Sequence, residues 1–201
     1  MVYSRDKCRH NGSMNISDPK SYSNLRTRPL IFLDLETTGL KVQEHEILEI
    51  GAMKVESKKP FKILDQFEIR VKPKHLEKAD QRSLEVVEYS DIAWSDAKPL
   101  DQALRMLDEF ADNGVLVGFN VHFDWAVLDK AYHFMGREDP FYYQRVDAMS
   151  MAYSKLFAKH SIKRFSLAET CRYLDIKQQE AHHALADAKT TYLVFKALMK
   201  Q

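Results

Sequence analysis

Apolar and polar positions along the chain predict three strands first and mostly helices afterwards. The apolar run of residues 30–33 suits a strand that is buried on both faces. Residues 47–55 and 63–71 have the composition of two further strands, with polar turn material between them. Because the connections are short, the three strands are expected to form an antiparallel meander.

Beyond residue 72 the apolar residues recur at helical spacing, most clearly at Leu100, Leu104, Leu107 and Phe110. Residues 115–118 then predict a fourth strand, and residues 124–134 predict a helix that Gly136 closes. Val146 either begins a short fifth strand or leads directly into the next helix. The remaining predicted helices cover residues 149–157, 166–174 and 183–199. This order of elements predicts an α/β fold in which helices flank a mixed sheet.

Length and composition fit one globular domain of ordinary size. The 201 residues are 45% hydrophobic and 29% charged, and a net charge of +1 neither supports nor excludes a nucleic-acid partner. The sequence shows no apolar run long enough to span a membrane and no signal peptide, so no membrane association is expected. Two cysteines, Cys8 and Cys171, are too few for a disulfide scaffold, and a cytoplasmic location is expected.

The first 28 residues differ from the rest of the chain. They are rich in Ser, Asn, Lys and Arg and lack a periodic apolar pattern. Residues 1–28 are therefore expected to form a flexible basic leader, either a solvated tail or an arm that touches phosphate. The folded domain is expected to cover residues 29–201.

Two acidic residues, Asp34 and Glu36, follow the most hydrophobic strand. A period of two places both side chains on one face, where two like charges are unfavourable unless something neutralises them. A divalent cation does so, and hard carboxylate oxygens suit Mg²⁺ or Mn²⁺. Taken alone, the pair is also compatible with a strand end exposed to solvent. The next residues, Thr37, Thr38 and Gly39, supply hydroxyls, amides and room for a substrate backbone.

Two later segments carry further candidate groups. Asp124 lies near a helix start after the fourth strand, where the helix dipole also favours Asp without any catalytic role. His182 and Asp187 lie at the opening of the last helix, so one can precede the helix while the other points from its first turns. His182 can then reach a water held on a metal that Asp187 binds. For His182 or His183 alone, a polar residue at a helix start is the alternative.

Taken together, the three segments resemble the exonuclease motifs of the DnaQ-like family, the 3′-to-5′ exonucleases of the DEDDh type. Residues 34–39 match the first motif, residues 120–124 match the second, and residues 182–187 match the third. The likeness covers about residues 29–199, and Phe119 departs from the His that many members carry there. The resemblance implies a ribonuclease H-like fold with a central five-stranded mixed sheet flanked by helices.

The resemblance also implies the roles of the site residues. Two divalent ions, Mg²⁺ or Mn²⁺, would be held by Asp34, Glu36, Asp124 and Asp187. His182 would be the general base that takes the proton from the attacking water, with His183 as its neighbour. Thr37, Thr38, Gly39 and Leu40 are expected to contact the terminal nucleotide, the amides through its 3′-hydroxyl or phosphate and Leu40 through the base. Further candidates for substrate binding are Asn120 in the groove and Phe123 by stacking on a base. Phe123 is also compatible with the core, and Lys163 and Arg164 are candidates either for a basic groove or for a solvated loop.

The resulting functional prediction is a metal-dependent 3′-to-5′ exonuclease that releases nucleoside 5′-monophosphates from single-stranded DNA ends, in proofreading or repair. The resemblance extends to the exonuclease domain of the DNA polymerase III epsilon subunit, so a DNA polymerase is a possible partner. An RNA-trimming exonuclease of the same fold is the alternative, because metal chemistry does not read the 2′-hydroxyl. A nucleic-acid-binding module without catalysis is a third hypothesis, against which the complete set of carboxylates and the histidine argue.

Overall fold

The computed structural model describes residues 25–159, 162–178 and 182–200. Five strands form one sheet: β1 (Leu30–Thr37), β2 (Ile47–Val55), β3 (Ile63–Arg70), β4 (Val115–Gly118) and β5 (Arg145–Asp147). Their spatial order is β3-β2-β1-β4-β5, in which β1 to β3 are antiparallel neighbours and β4 runs parallel to both β1 and β5. The predicted meander and mixed sheet are confirmed, and Val146 belongs to a short fifth strand.

The helices of the described ranges are α1 (Gln81–Val86), α2 (Leu100–Ala111), α3 (Val121–Phe134), α4 (Ala148–Leu156), α5 (Leu167–Tyr173) and α6 (Ala184–Leu198). Short 3-10 turns cover Leu25–Thr27 and Leu76–Lys78. The short helix α1, capped by the side chain of Asp80, was not predicted. Within the part of the chain described, no helix combines the length and the apolar character that a bilayer crossing requires.

Helix α3 begins at Val121. The apolar spacing predicted a later start, at residue 124. Asn120 adopts a left-handed conformation with φ 64°, which turns the chain directly from β4 into the helix. The amides of Asn120 and Val121 both donate to Oδ1 of Asp147, at 2.8 and 3.2 Å. The earlier start places Asp124 in the first turn of the helix, facing the end of the sheet.

Successive side chains of β1 lie on opposite faces of the sheet and pack into two different cores. Ile31 and its alternate neighbours pack with apolar side chains of α2 and α3. Phe32 packs on the opposite side of the sheet against Tyr192 of α6, with ring centroids 5.4 Å apart. Because Asp34 and Glu36 follow Phe32 at a period of two, both lie on the face that α6 covers.

Most of the predicted leader, residues 1–24, lies outside the described residues, so the leader remains a prediction. Residues 25–28 contact the folded domain. Nη1 of Arg28 donates to the carbonyl of Asn113 at 3.1 Å, and its guanidinium lies 4.2 Å from the ring centroid of Tyr142. The packed part of the chain therefore begins before residue 29.

Candidate active site

The carboxyl end of β1 holds two acidic side chains on the face that α6 covers, Asp34 and Glu36. Burial, together with the charges of Asp124, Asp187, Glu36 and Glu49, raises the pKa of Asp34 well above its usual value of 3.8. Burial and the charge of Asp187 likewise raise the pKa of Glu36 to about 8. The end of β1 is therefore a place where several carboxylates repel one another.

Asp124 reaches the same place from α3. Its side chain is 4% exposed, and Oδ1 accepts the backbone amide of Leu35 at 3.1 Å. This bond ties the start of the helix to the strand that carries Asp34 and Glu36. Burial raises the pKa of Asp124 to about 7, although two backbone amides act in the opposite direction.

The start of α6 supplies Asp187 and His182. One ligand atom from each of Glu36, His182 and Asp187 lies within 4.8 Å of the other two. The amide of His182 donates to Oδ2 of Asp187 at 3.3 Å, and Nε2 of Gln178 donates to Oδ1 at 3.4 Å. His183 is the residue before α6, and its charge acts on Glu49. His182 is thus the histidine grouped with the predicted metal ligands.

The carboxylates gathered at this site suit a divalent cation as ligands. The ligand atoms of Glu36, His182 and Asp187 all lie within 4.8 Å of one another, and carboxylate oxygens are the ligands that Mg²⁺ and Mn²⁺ prefer. A bound cation would also remove the repulsion that raises the pKa values of Asp34, Glu36 and Asp124, because a positive charge favours their ionised forms. The carboxylates are therefore arranged as a cation site, and the choice between Mg²⁺ and Mn²⁺ stays a prediction.

Glu49 of β2 supports this cluster, although sequence reasoning assigned it no role in the site. It is 2% exposed and lies opposite Glu36 in the strand pairing. Its Oε1 accepts the amide of Ala184, the first residue of α6, at 3.2 Å. Burial and the charge of Glu68 raise its pKa, while His183 lowers it. The sequence feature that could have revealed this role is a single acid in an otherwise apolar strand. Acidic residues are almost never fully buried without a partner.

Gly51, two residues further along β2, lies opposite Asp34. A Cβ atom at this position would lie 2.0 Å from the backbone nitrogen of Leu185 and 2.2 Å from the carbonyl carbon of Ala184. The start of α6 therefore rests directly on the backbone of β2. This close approach holds Asp187 against the sheet beside Asp34.

Residues 31–195 match the model of the RNase_T family, which is described as an exonuclease family. The chain belongs to this exonuclease family. The predicted DnaQ-like relationship and 3′-to-5′ exonuclease class are thereby confirmed.

Similar proteins include DNA polymerases III of the PolC type. That of Oceanobacillus iheyensis is 28% identical over 181 residues, which are 88% of this chain and 12% of that protein. That of Thermotoga petrophila is 28% identical over 184 residues, which are 90% of this chain and 12% of that protein. The exonuclease therefore spans only 12% of the length of these relatives.

Solved structures share the fold. E. coli exonuclease I in complex with a dT13 oligonucleotide has a TM-score of 0.71 and 17% identity, covering 84% of this chain and 40% of that one. The nuclease domain of 3′hExo, a DEDDh family member bound to rAMP, has a TM-score of 0.71 and 14% identity. The match covers 87% of this chain and 92% of that one. The predicted ribonuclease H-like sheet is confirmed.

At the end of β1 and in the loop that follows it, the threonine hydroxyls of the exonuclease form hydrogen bonds within the protein. Oγ1 of Thr37 donates to the carbonyl of Gly39 at 2.8 Å, and Oγ1 of Thr38 accepts an amide of the loop before β2 at 2.9 Å. Both threonines are buried, so their hydroxyls shape the loop, and contact of this segment with a substrate through its backbone amides stays a prediction. A Cβ on Gly39 would lie 2.5 Å from Nε2 of His45, and Leu40 is 80% exposed.

The other candidates for substrate contact divide into core and surface. Phe123 is half-buried and packs against the core beneath α3, which favours its structural role. Asn120 is exposed at the start of that helix. Lys163 and Arg164 are exposed in the loop before α5.

An open cleft of about 1120 Å³ adjoins the carboxylates. Glu49, Gln178 and His183 form the side of the cleft nearest the site. The rest of the lining carries both charges, namely Arg70, Lys98, Lys177 and Lys189 together with Glu68 and Asp96. The lining includes Ala186, the neighbour of Asp187 in the chain, but none of the predicted metal ligands.

Proposed function

We propose that the chain is a metal-dependent 3′-to-5′ exonuclease that releases nucleoside 5′-monophosphates from single-stranded DNA. The observation that carries this proposal is the convergence of Glu36, His182 and Asp187 beside the half-buried carboxylate of Asp34 and the buried carboxylate of Asp124. DNA is favoured because similar proteins are DNA polymerases III and because a structure with the same fold binds dT13. The same similarity supports a role in proofreading or repair, next to a polymerase.

The chain's own residues then divide the work of hydrolysis. Asp34, Glu36 and Asp187 would hold one divalent ion, and Asp34 with Asp124 would hold a second. When bound, such ions lower the pKa of a water and stabilise charge on the attacking and leaving oxygens. His182, which is exposed beside Asp187, accepts the proton of the attacking water and passes it to solvent. Leu40 offers an apolar contact to the terminal base.

The proposal is tested by incubating the purified protein with a 5′-labelled DNA 20-mer and a matched RNA 20-mer, in Mg²⁺ and in Mn²⁺. Products shortened stepwise from the 3′ end, together with nucleoside 5′-monophosphates, would support it. Internal fragments, or no product with either metal, would contradict it. Preferential loss of RNA would support the exoribonuclease, which the likeness to a nuclease bound to rAMP keeps as the second candidate.

His182→Ala is expected to slow turnover by about 10² to 10⁴-fold, because general-base catalysis contributes this much. The control is His183→Ala, which removes the neighbouring ring that acts on Glu49 instead. Single-turnover rates at saturating metal measure both effects, and calorimetry checks that metal affinity is little changed. If His183→Ala causes the larger loss of rate, the assignment of the base to His182 is wrong.

A further inference from the structure

An aromatic and basic surface lies on α4 and on the loop before α5. It comprises three aromatic residues, Tyr153, Phe157 and Phe165, and three cations, Lys159, Lys163 and Arg164. We call it the aromatic ridge. Tyr153 is 50% exposed and Phe157 is 63% exposed, although both have large apolar rings. The ring centroid of Tyr153 lies 4.9 Å from that of Phe157 and 5.1 Å from that of Phe165.

Phe165 is half-buried and packs against the adjacent core, whereas Tyr153 and Phe157 are not part of that core. The opposite side of α4 supplies Ala152 and Leu156, which pack with Val194 and Leu198 of α6. Tyr153 and Phe157 therefore project from α4 with much of their surface in water. A contiguous exposed patch of this kind marks an interaction site more often than a folding requirement.

Local charge identifies the kind of partner. The sequence from residue 148 to residue 168 contains no Asp or Glu, in a chain that has 29 of them. The same stretch carries four cationic side chains, namely Lys155, Lys159, Lys163 and Arg164. Aromatic rings among several cations match a single nucleic-acid strand, whose bases stack and whose phosphates attract Lys and Arg.

The loop of the ridge is held in place by Glu169. Its carboxylate accepts the amides of Lys163, Arg164 and Phe165 at 3.0, 2.6 and 3.0 Å. Phe165 has a positive φ of 51°, a conformation that bulky residues rarely adopt. The three bonds hold the backbone in this conformation, so the ring of Phe165 is fixed beside Tyr153 before any ligand binds.

The helix links the ridge to the catalytic end of the sheet. Asp147 caps α4 and also accepts the amides that begin α3, where Asp124 lies. From Asp147 to Phe157 the helix rises about 15 Å. A strand several nucleotides long can span this distance.

We infer that the aromatic ridge binds the single strand several nucleotides upstream of the 3′ end that is hydrolysed. This inference rests on the proposed function. It predicts that long substrates gain affinity from the ridge and that dinucleotides do not.

The test compares wild type, Phe157→Ala and Arg164→Ala on a DNA 20-mer and on a dinucleotide. Phe157→Ala removes one ring on which a base can stack. It should raise KM for the 20-mer by about 10-fold and leave kcat and dinucleotide hydrolysis unchanged. Arg164→Ala should also make the dependence of log affinity on log salt shallower by about 0.7, the value for one lost phosphate contact on a single strand. The control Tyr143→Ala removes a ring that is 66% exposed and lies outside the ridge. It should change the hydrolysis of neither substrate.

Fluorescence anisotropy with a labelled 20-mer in EDTA measures the same affinity without turnover. Equal dissociation constants for wild type and Phe157→Ala would overturn the ridge proposal alone. Failure to hydrolyse either substrate would overturn the proposed function, and the two failures are therefore distinguishable. Circular dichroism of each variant shows that the fold is intact.

Discussion

Asp34→Asn is expected to lower turnover by at least about 10³-fold while leaving the metal-free protein as stable as wild type or more stable. The loss of rate follows because Asp34 would be shared by both ions, and ionic stabilisation of the reacting oxygens contributes several kcal/mol. The gain in stability follows because Asp34 is buried among Glu36, Glu49, Asp124 and Asp187, whose charges raise its pKa. A neutral amide of the same shape removes that repulsion.

The sign of the pH dependence follows from the same shifts. Glu36 has a pKa raised from 4.5 to about 8, and that of Asp124 is raised from 3.8 to about 7. Groups with a raised pKa in the folded state stabilise it below their unfolded pKa, and this stability is lost as pH rises through the folded value. Without metal, the Tm of the wild type should therefore fall between about pH 4 and pH 8, and Asp34→Asn should show a smaller fall.

Thermal unfolding in EDTA and in Mn²⁺, at pH 6 and pH 8, measures these effects. Metal should raise the Tm of the wild type more at pH 8, because carboxylates bind cations in their ionised form. Asp112→Asn is the matched control, since Asp112 is exposed at the end of α2 in a left-handed conformation that Asn tolerates. Near-normal turnover in Asp34→Asn, or no response of the wild type to metal, would refute the assignment of Asp34 as a ligand.

Local patterns were sufficient to predict the strand of Asp34 and Glu36 and the helix of Asp187. Each depends on a period of two or on helix-start residues within a few positions of one another. The role of Glu49 could not be predicted in this way. Its partner Ala184 lies 135 positions further along the chain, so the contact exists only once β2 and α6 have packed.

The threonine loop shows the same limit at shorter range. The sequence predicted that Thr37 and Thr38 supply hydroxyls and backbone amides beside a substrate. Whether a hydroxyl faces outward depends on the folded loop around it. Here the hydroxyl of Thr37 donates to the carbonyl of Gly39, and that of Thr38 accepts an amide of the loop before β2. Residue type and spacing therefore predicted the acids that the structure brings together, whereas the groups that position them depend on contacts between distant elements.

Gly51→Ala is expected to be the most damaging substitution at a position that contacts neither substrate nor metal. The added Cβ would lie 2.0 Å from the backbone nitrogen of Leu185, and backbone atoms of a helix cannot swing aside as a flexible side chain can. The start of α6 must therefore move away from β2. Overpacking of this kind costs about 1 to 3 kcal/mol of stability. The shift also moves Asp187 and His182 relative to Asp34, and a displacement of about 1 Å lowers turnover by about 10²-fold.

Gly136→Ala separates a general loss of stability from this displacement. Gly136 has a φ of 64° and no atom within 4 Å of an added Cβ, so alanine there strains the backbone without a clash. The left-handed conformation costs about 1 to 2 kcal/mol, similar to the expected loss at Gly51. Chemical denaturation measures stability and single-turnover assays measure rate. If Gly51→Ala slows turnover no more than Gly136→Ala does, the docking of α6 on β2 does not set the geometry of the metal site.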